Sequence, residues 1–319
     1  MSKYDITVVG TAATVSVLRV REMPESGKST AVFGGSFLEF TNGGVGLNFV
    51  SAFARLGLSV YPVLTYVDER QREFLHTYAR EQGMPEDGIQ DPPEGSVGTT
   101  VMIQDDKKNH MTLITNYLER LPTSTYYKPQ KMEDHFFSDS RLIVLTPPMA
   151  VNTRPALEAA VKSGVPICFS MRRDPIALPD DVLIDILKAS TVIFANEEET
   201  EFITETFEMK NISDLFDSGR AQVIVETLGP RGSRALYKDS GEIREVYCPA
   251  VKPDTDEIET VGAGDAFASG FLFGYINGYD IKTCSEYGNT LSSFVLETEG
   301  SISNLPSEEQ LVKRWQERC

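Results

Sequence analysis

Histidine is nearly absent from this 319-residue chain: the three present, His76, His110 and His135, stand far in sequence from any cysteine and from one another. A zinc site or a histidine-based catalytic triad has little to be built from. Cysteine is almost as scarce. Cys168, Cys248, Cys284 and Cys319 show no C-x-x-C spacing, as expected of a reduced, cytoplasmic protein. No apolar run approaches a membrane span, and the opening "MSKYDITVVG" reads as a strand start, not a signal peptide. Positive charge is short as well: 30 Lys and Arg against 47 Asp and Glu leave a formal charge of −17. Nucleic acid and anionic membranes are poor partners for such a surface, because both need clustered cations to displace counterions. The best local basic patch, "MRRDP" at Met171–Pro175, reads as a solvated turn. Three familiar motifs are missing too. There is no G-x-x-x-x-G-K-[ST], no G-x-S-x-G, and no G-x-G-x-x-G after the first strand, where the sequence runs "GTAATVSV". Chemistry in this chain must rest on carboxylates, backbone donors and bound ions.

What is present is alternation. Ile6–Gly10 is a short apolar run ending in glycine, as in a buried parallel strand. "NGGVGLNFVSAFARLG" opens with glycines and turns helical, with Phe49, Ala52, Phe53 and Leu56 on one face. "LSVYPVLTYV" is a strand and "RQREFLHTYAREQG" a helix stopped at Gly83. "STAVFGGSFLEF" and "TTVMIQDDKKNHMTLIT" carry β-branched and aromatic residues without helical period. After Pro122 strands and helices alternate regularly: "SRLIVLTP", "TRPALEAAVKSG", "VPICFSM", "PDDVLIDILKAS", "TVIFAN", "EEETEFITETF" and "AQVIVETLG". A hairpin-like pair, "SRALYKD" and "EIREVYCPAV", and the helix "GDAFASGFLFGYING" follow. This predicts an α/β fold over residues 1–319: one doubly wound, mostly parallel central sheet with helices on both faces, plus a small β-sheet. Ligands of such sheets bind beyond the C-terminal strand ends, where the glycine clusters, "NEEE" and "TLG" fall.

The chemistry points to "EIETVGAGDAFASGFLFGYING". Glycine lets backbone approach a ligand, and a glycine loop before a helix aims free N–H groups and the positive helix end at one spot. Gly262, Ala263 and Gly264 would form that anion pocket, with Asp265 at its rim. A carboxylate beside an anion pocket can accept a proton from an attacking hydroxyl, or it can simply cap the helix.

"ETVGAGDAFASGFL" resembles the C-terminal signature of the ribokinase-like (PfkB) carbohydrate kinases, whose usual form is D-T-x-G-A-G-D-x-F. "GGVGLN" with "ARLG" is similar to their N-terminal signature, "NEEE" to their N-x-x-E, and "TLGPRG" to their nucleotide-side loop, all in the family's order. The resemblance implies a kinase using ATP and Mg²⁺ to phosphorylate the hydroxymethyl group of a sugar, with Asp265 as general base. The N–H groups from Gly262 to Asp265 would hold the transferred phosphoryl. Asn196 and Glu199 would organise Mg²⁺ through its waters; the alternative is an acidic helix N-terminus. Thr227, Gly229 and Gly232 would line the nucleotide, and Asn289 would meet the adenine. Gly43, Gly44 and Asn48 match the residues that meet the acceptor. Segments of about 15–42 and 97–115 would form the family's lid, which often supplies a dimer contact, so a homodimer is the candidate assembly.

The sequence departs from the family at the acceptor and cation sites. Where an acid usually follows the first strand stand Thr14 and Val15, leaving Thr14 as the candidate acceptor contact. Val50 replaces a small residue, Asp68 lacks its flanking glycines, and Ser170 takes the acid's place in "SMRRDP". Glu259 replaces the Asp of the D-T pair, which in relatives activated by potassium helps build the ion site; the extra methylene moves that carboxylate. "GGVGLN" and "SSFVLETEGS" are similar to nucleoside-phosphorylating branches, adenosine and pseudouridine kinases among them. A sugar kinase is thus the first expectation and a nucleoside kinase the alternative. A ligand sensor that kept the fold without catalysis is the reading from another class.

Overall fold

In the computed structural model, residues 2–36, 39–66, 68–91, 99–114, 130–147, 150–174 and 177–319 are described below. Parts of both lid segments (37–38, 97–98 and 115), Pro122 and Pro175 lie outside that set. The chain begins with strands β1 (Tyr4–Thr11), β2 (Ala13–Val20), β3 (Val32–Gly34) and β4 (Thr41–Gly43). Helix α1 (Val45–Arg55), β5 (Val60–Thr65), α2 (Gln71–Glu81) and β6 (Ile89–Gln90) follow. Next come β7 (Thr100–Gln104), β8 (His110–Ile114), α3 (His135–Ser138), β9 (Ser140–Leu145) and α4 (Ala150–Ser163). The regular part continues with β10 (Ile167–Ser170), α5 (Asp180–Ala189), β11 (Val192–Asn196), α6 (Glu197–Thr206) and α7 (Leu215–Ser218). It closes with β12 (Val223–Thr227), β13 (Ser233–Asp239), β14 (Glu242–Cys248), α8 (Ala263–Ile276), α9 (Ile281–Val295) and α10 (Glu308–Arg318).

Nine strands make one sheet in the order β14-β13-β12-β11-β10-β9-β1-β5-β6, parallel except at the β12-β13-β14 edge. Double-sided burial explains its apolar runs. On β9, Leu142 and Val144 face α1 and α8, while Ile143 and Leu145 face α4 and α5. One core therefore packs Phe49, Phe53 and Phe271 on one side of the sheet; the other packs Phe169, Leu183 and Ile186 on the opposite side. Full burial of each such side chain contributes roughly 1.5–3 kcal/mol.

The second sheet has the order β3-β2-β7-β8, with β4 also paired to β2. Among the described residues of "STAVFGGSFLEF" the strand-like pattern yields the three-residue β3, and β7 and β8 in "TTVMIQDDKKNHMTLIT" pair as an antiparallel hairpin. β2 alternates between half-buried and buried positions, so this sheet has one face on the protein. Only Ala12 separates β2 from β1; it is buried and its N–H donates to the Thr65 carbonyl at 2.8 Å. β1 lies where the strand order reverses, with β5 on one side and β9 on the other. Its C-terminal end opens the crevice in which doubly wound sheets bind ligands.

Candidate active site

Two cavities meet at the loop before α8. The first, of about 280 Å³, lies between the β1–β2 joint, the second sheet and the loop; Thr14, Gly44, Asn48, Gly262, Gly264 and Asp265 line it. The second, of about 430 Å³, is lined by Thr227, Gly229, Gly232, Ala263, Gly264 and Asn289. Thr260 and Gly264 belong to both walls. Of the sequence-derived candidates, only Gly43, Asn196 and Glu199 line neither.

The loop is shaped by glycine. Gly262 is the N-cap of α8 at φ 82°, a left-handed conformation that disfavours side chains, and a Cβ there would lie 2.5 Å from Ser301 Cβ. Ala263 N–H turns back to Thr260 O, and Ala266 N–H starts the helical ladder on Gly262 O. The N–H groups of Gly264 and Asp265 between them have no intrahelical acceptor. A Cβ on Gly264 would meet nothing within 4 Å, so open space lies there for a ligand. Among the described residues no three His, Cys, Asp or Glu side chains converge as a metal cage. Mg²⁺ needs none, since it is usually held by one or two carboxylates, waters and substrate phosphates.

Asp265 does not cap α8; the N-cap is Gly262 and no side chain bonds there. Instead Asp265 Oδ2 accepts from Asn48 Nδ2 at 2.6 Å, and Asn48 Oδ1 accepts from Ser301 Oγ at 2.7 Å. The chain Ser301–Asn48–Asp265 fixes which end of the amide faces the carboxylate. Burial pushes the Asp265 carboxyl up to about 6, with the Asn48 N–H and the Arg172 charge pulling the other way. Both ends of Asn48 are therefore engaged with protein groups, which leaves one N–H for an acceptor hydroxyl.

Gly44, at φ 99°, would bring a Cβ within 2.7 Å of Thr11 O, so it lets α1 start directly beneath the β1–β2 joint. Gly43 has room for a Cβ against Val15 and Ser301, and it pairs with Ala13 of β2. Thr14 Oγ1 lies 3.2 Å from Asp68 Oδ2 and 3.2 Å from Thr99 Oγ1. Asp68 itself is wholly buried and clasped by Arg70. The hydroxyl that stands in place of an acid thus leans on an acid 54 positions further along the chain.

Asn196 and Glu199 form a reciprocal capping box at the start of α6: Glu199 N–H donates to Asn196 Oδ1, and Asn196 N–H to Glu199 Oε2, each at 2.9 Å. Burial pushes the Glu199 carboxyl up to about 7 against backbone bonds from Asn196 and Arg173, and the Asp265 charge adds to the rise. That coupling places Glu199 within electrostatic reach of the junction. Asn289 is buried, and its Nδ2 donates to Ser233 Oγ and Cys248 O, so its amide nitrogen serves the protein.

Residues without a sequence signal complete the first cavity: Tyr66, Met102, His110, Met171, Arg172 and Ser301 among them. Met102 and His110 arrive on the β7–β8 hairpin. Arg172, from the "MRRDP" turn, lines the cavity and pairs with Asp174 at 3.5 Å. Arg173 beside it is exposed and stacks over Phe202, so the turn is solvated in part while Arg172 reaches the cavity. Glu259 pairs with two cations of the second sheet, Lys108 at 2.5 Å and Arg19 at 3.3 Å.

Comparison with known proteins agrees with this architecture. Residues 5–308 match the model of the pfkB family carbohydrate kinases. The chain belongs to that family, and it is a phosphotransferase with an alcohol group of a sugar or nucleoside as acceptor. A nucleoside kinase of Methanothermobacter thermautotrophicus is 25% identical over 312 residues, covering 98% of this chain and 95% of that protein. The crystal structure of Methanocaldococcus jannaschii nucleoside kinase superimposes with a TM-score of 0.79 at 20% identity, over 99% of both chains. Arabidopsis thaliana ribokinase, complexed with ribose and ATP, gives 0.75 at 19% identity over 99% of both. No helix among the described residues is long and apolar enough to cross a membrane.

Proposed function

We propose that this kinase transfers the γ-phosphoryl of ATP to the hydroxymethyl group of a nucleoside, with Asp265 as general base. The observation that carries the acceptor class is the wall of the first cavity. Val15, Val45, Tyr66, Met102, Ile114 and Met171 line it, and among its described lining residues Asp265 is the only carboxylate. A free sugar leaves hydroxyls on every side that need polar partners, whereas a nucleoside offers a flat base to apolar walls. Relatives and fold neighbours that are nucleoside kinases support the same reading. A free sugar is the second reading, favoured by the hydroxyls of Thr14, Thr99, Thr100 and Thr112 in the same wall.

In this reading Asp265, held by Asn48, takes the proton of the attacking hydroxyl at Oδ1 or Oδ2. The Gly264 and Asp265 N–H groups and the α8 N-terminus hold the charge that develops on the phosphoryl oxygens. Thr227, Gly229, Gly232 and Asn289 would hold the nucleotide in the second cavity, and Glu199 would hold Mg²⁺ through water. When bound, Mg²⁺ supplies charge neutralisation on the phosphate oxygens. Arg172 lines the junction side of the first cavity and offsets the negative charge there. Closing the second sheet over the acceptor excludes water from the phosphoryl.

An ADP-release assay with MgATP against a panel of nucleosides and free sugars tests this. Turnover is expected on nucleosides, with kcat/KM at least about tenfold above any free sugar, the discrimination that a fitted apolar wall gives. Turnover confined to free sugars would reverse the assignment.

A further inference from the structure

The hairpin that covers the first cavity ends in an unusual turn. Lys108 sits at φ 66°, a left-handed conformation that is uncommon outside glycine and asparagine. The turn is built to hold it. Lys108 N–H donates to Asp105 O at 3.0 Å, and the Asp105 carboxylate accepts from Lys107 N, Asn109 N and Asn109 Nδ2, each at 2.9 Å. The result aims the Lys108 ammonium at Glu259 Oε1, 2.5 Å away. Arg19, near the far end of β2, reaches the same oxygen at 3.3 Å and Glu299 at 3.0 Å, while its other nitrogen donates to Gln104 at 2.8 Å. The Glu259 side chain is only 15% exposed.

Glu259 stands six residues before Asp265. Its own N–H is tied to Leu296 O at 2.9 Å, and the next carbonyl, of Thr260, accepts the bond that closes the turn into α8. Holding the Glu259 side chain therefore sets where the phosphate-facing loop begins. Two carboxylates and two cations already balance in this cluster, so a potassium ion beside Glu259 does not fit: it would add an uncompensated charge next to a carboxylate that is itself largely buried.

We propose that Lys108 and Arg19 are positioning residues. Clasped on Glu259, they supply from within the chain the positive charge that a monovalent cation gives potassium-activated relatives, and they tie the covering sheet to the transfer loop. This rests on reading the Gly262–Asp265 loop as the transfer site.

The test compares wild type, Lys108→Met and Lys108→Arg in tetramethylammonium chloride and in potassium chloride at equal ionic strength. Both kcat with MgATP and the acceptor found above, and the melting temperature of the protein alone, are read. Wild type is expected to give the same values in the two salts. Lys108→Met is expected to lose roughly tenfold in kcat in tetramethylammonium, as a displaced loop would, and to regain most of it in potassium. Its melting temperature should rise in parallel, while Lys108→Arg stays close to wild type. Several-fold activation of wild type by potassium overturns the proposal, and so does a Lys108→Met loss that potassium does not restore. If wild type turns over no acceptor in either salt, the kinase reading of the loop has failed, and the melting temperatures alone decide the clasp. A Lys108→Met protein whose melting temperature ignores potassium then counts against it.

Discussion

The two cavities that share Thr260 and Gly264 are made of different material. The second has many small or apolar residues in its wall, where main chain can come close to a ligand: Gly229, Pro230, Gly232, Ala250, Pro253 and Ala263. The first is walled by side chains brought from distant parts of the chain, and several polar ones are engaged with each other before any ligand arrives. Backbone fits a group that every nucleotide carries, such as phosphate, and tolerates side-chain change. In the proposed reading, side chains would set which acceptor enters, and a change there would alter either shape or proton affinity. The difference teaches where function is concentrated and where it is free to drift.

The sharpest break comes at the carboxylate. Asp265→Asn should lower kcat by roughly 10²–10⁴-fold, the usual worth of a positioned base, with ATP affinity by calorimetry little changed. A near-wild-type rate would remove Asp265 from the chemistry. Next, Gly264→Val puts a branched side chain into the wall that both cavities share. KM for ATP and for the acceptor should both rise by roughly 10–100-fold, as 1–3 kcal/mol of overpacking implies. A rise in only one would show that the cavities are separate.

Asn48→Ala sharpens the contrast within the first cavity. The Asn48 N–H holds the Asp265 carboxyl down, so its loss moves the acid limb of kcat/KM upward from about 6. The variant should lose more activity at pH 6 than at pH 8, and an unmoved limb would show that the bond does not tune the base. The smallest effect concerns stability. The folded Asp265 carboxyl titrates at about 6, above its ordinary value of 3.8, so its charge destabilises the fold increasingly as pH rises from about 4 to 6. Asp265→Asn should therefore melt higher than wild type by roughly 1–4 °C at pH 7.5, and the gap should narrow at pH 4.5. A gap independent of pH would contradict the burial.

The central sheet was readable from sequence because double-sided burial writes itself as apolar runs, as in "SRLIVLTP" and "TVIFAN". The buried α8 was also readable, since its glycine loop and unbroken apolar stretch have one explanation. The second sheet was harder. Its hairpin turn at 105–109 depends on Asp105 bonding three donors, which no periodicity reports. Arg172 illustrates the limit at the site. In sequence it belongs to a polar turn, and only the approach of β8 and α8 makes it part of a cavity. Ser301 lies 253 positions from Asn48, so their hydrogen bond has no local trace. Asn48, Asp265 and the glycines were legible because their chemistry is tied to short motifs.

The one-residue joint at Ala12 has a mechanical consequence. A strand rises about 3.3 Å per residue, so β2 is a lever whose pivot is Ala12 and whose far end carries Arg19. A rotation of about 10° at the pivot displaces that end by roughly 4 Å on this geometry, more than the 3.3 Å that separates Arg19 from Glu259. On this geometry a small torsion beside the central sheet, carried by the whole second sheet, would be enough to make or break the contact between Arg19 and the loop that precedes Asp265.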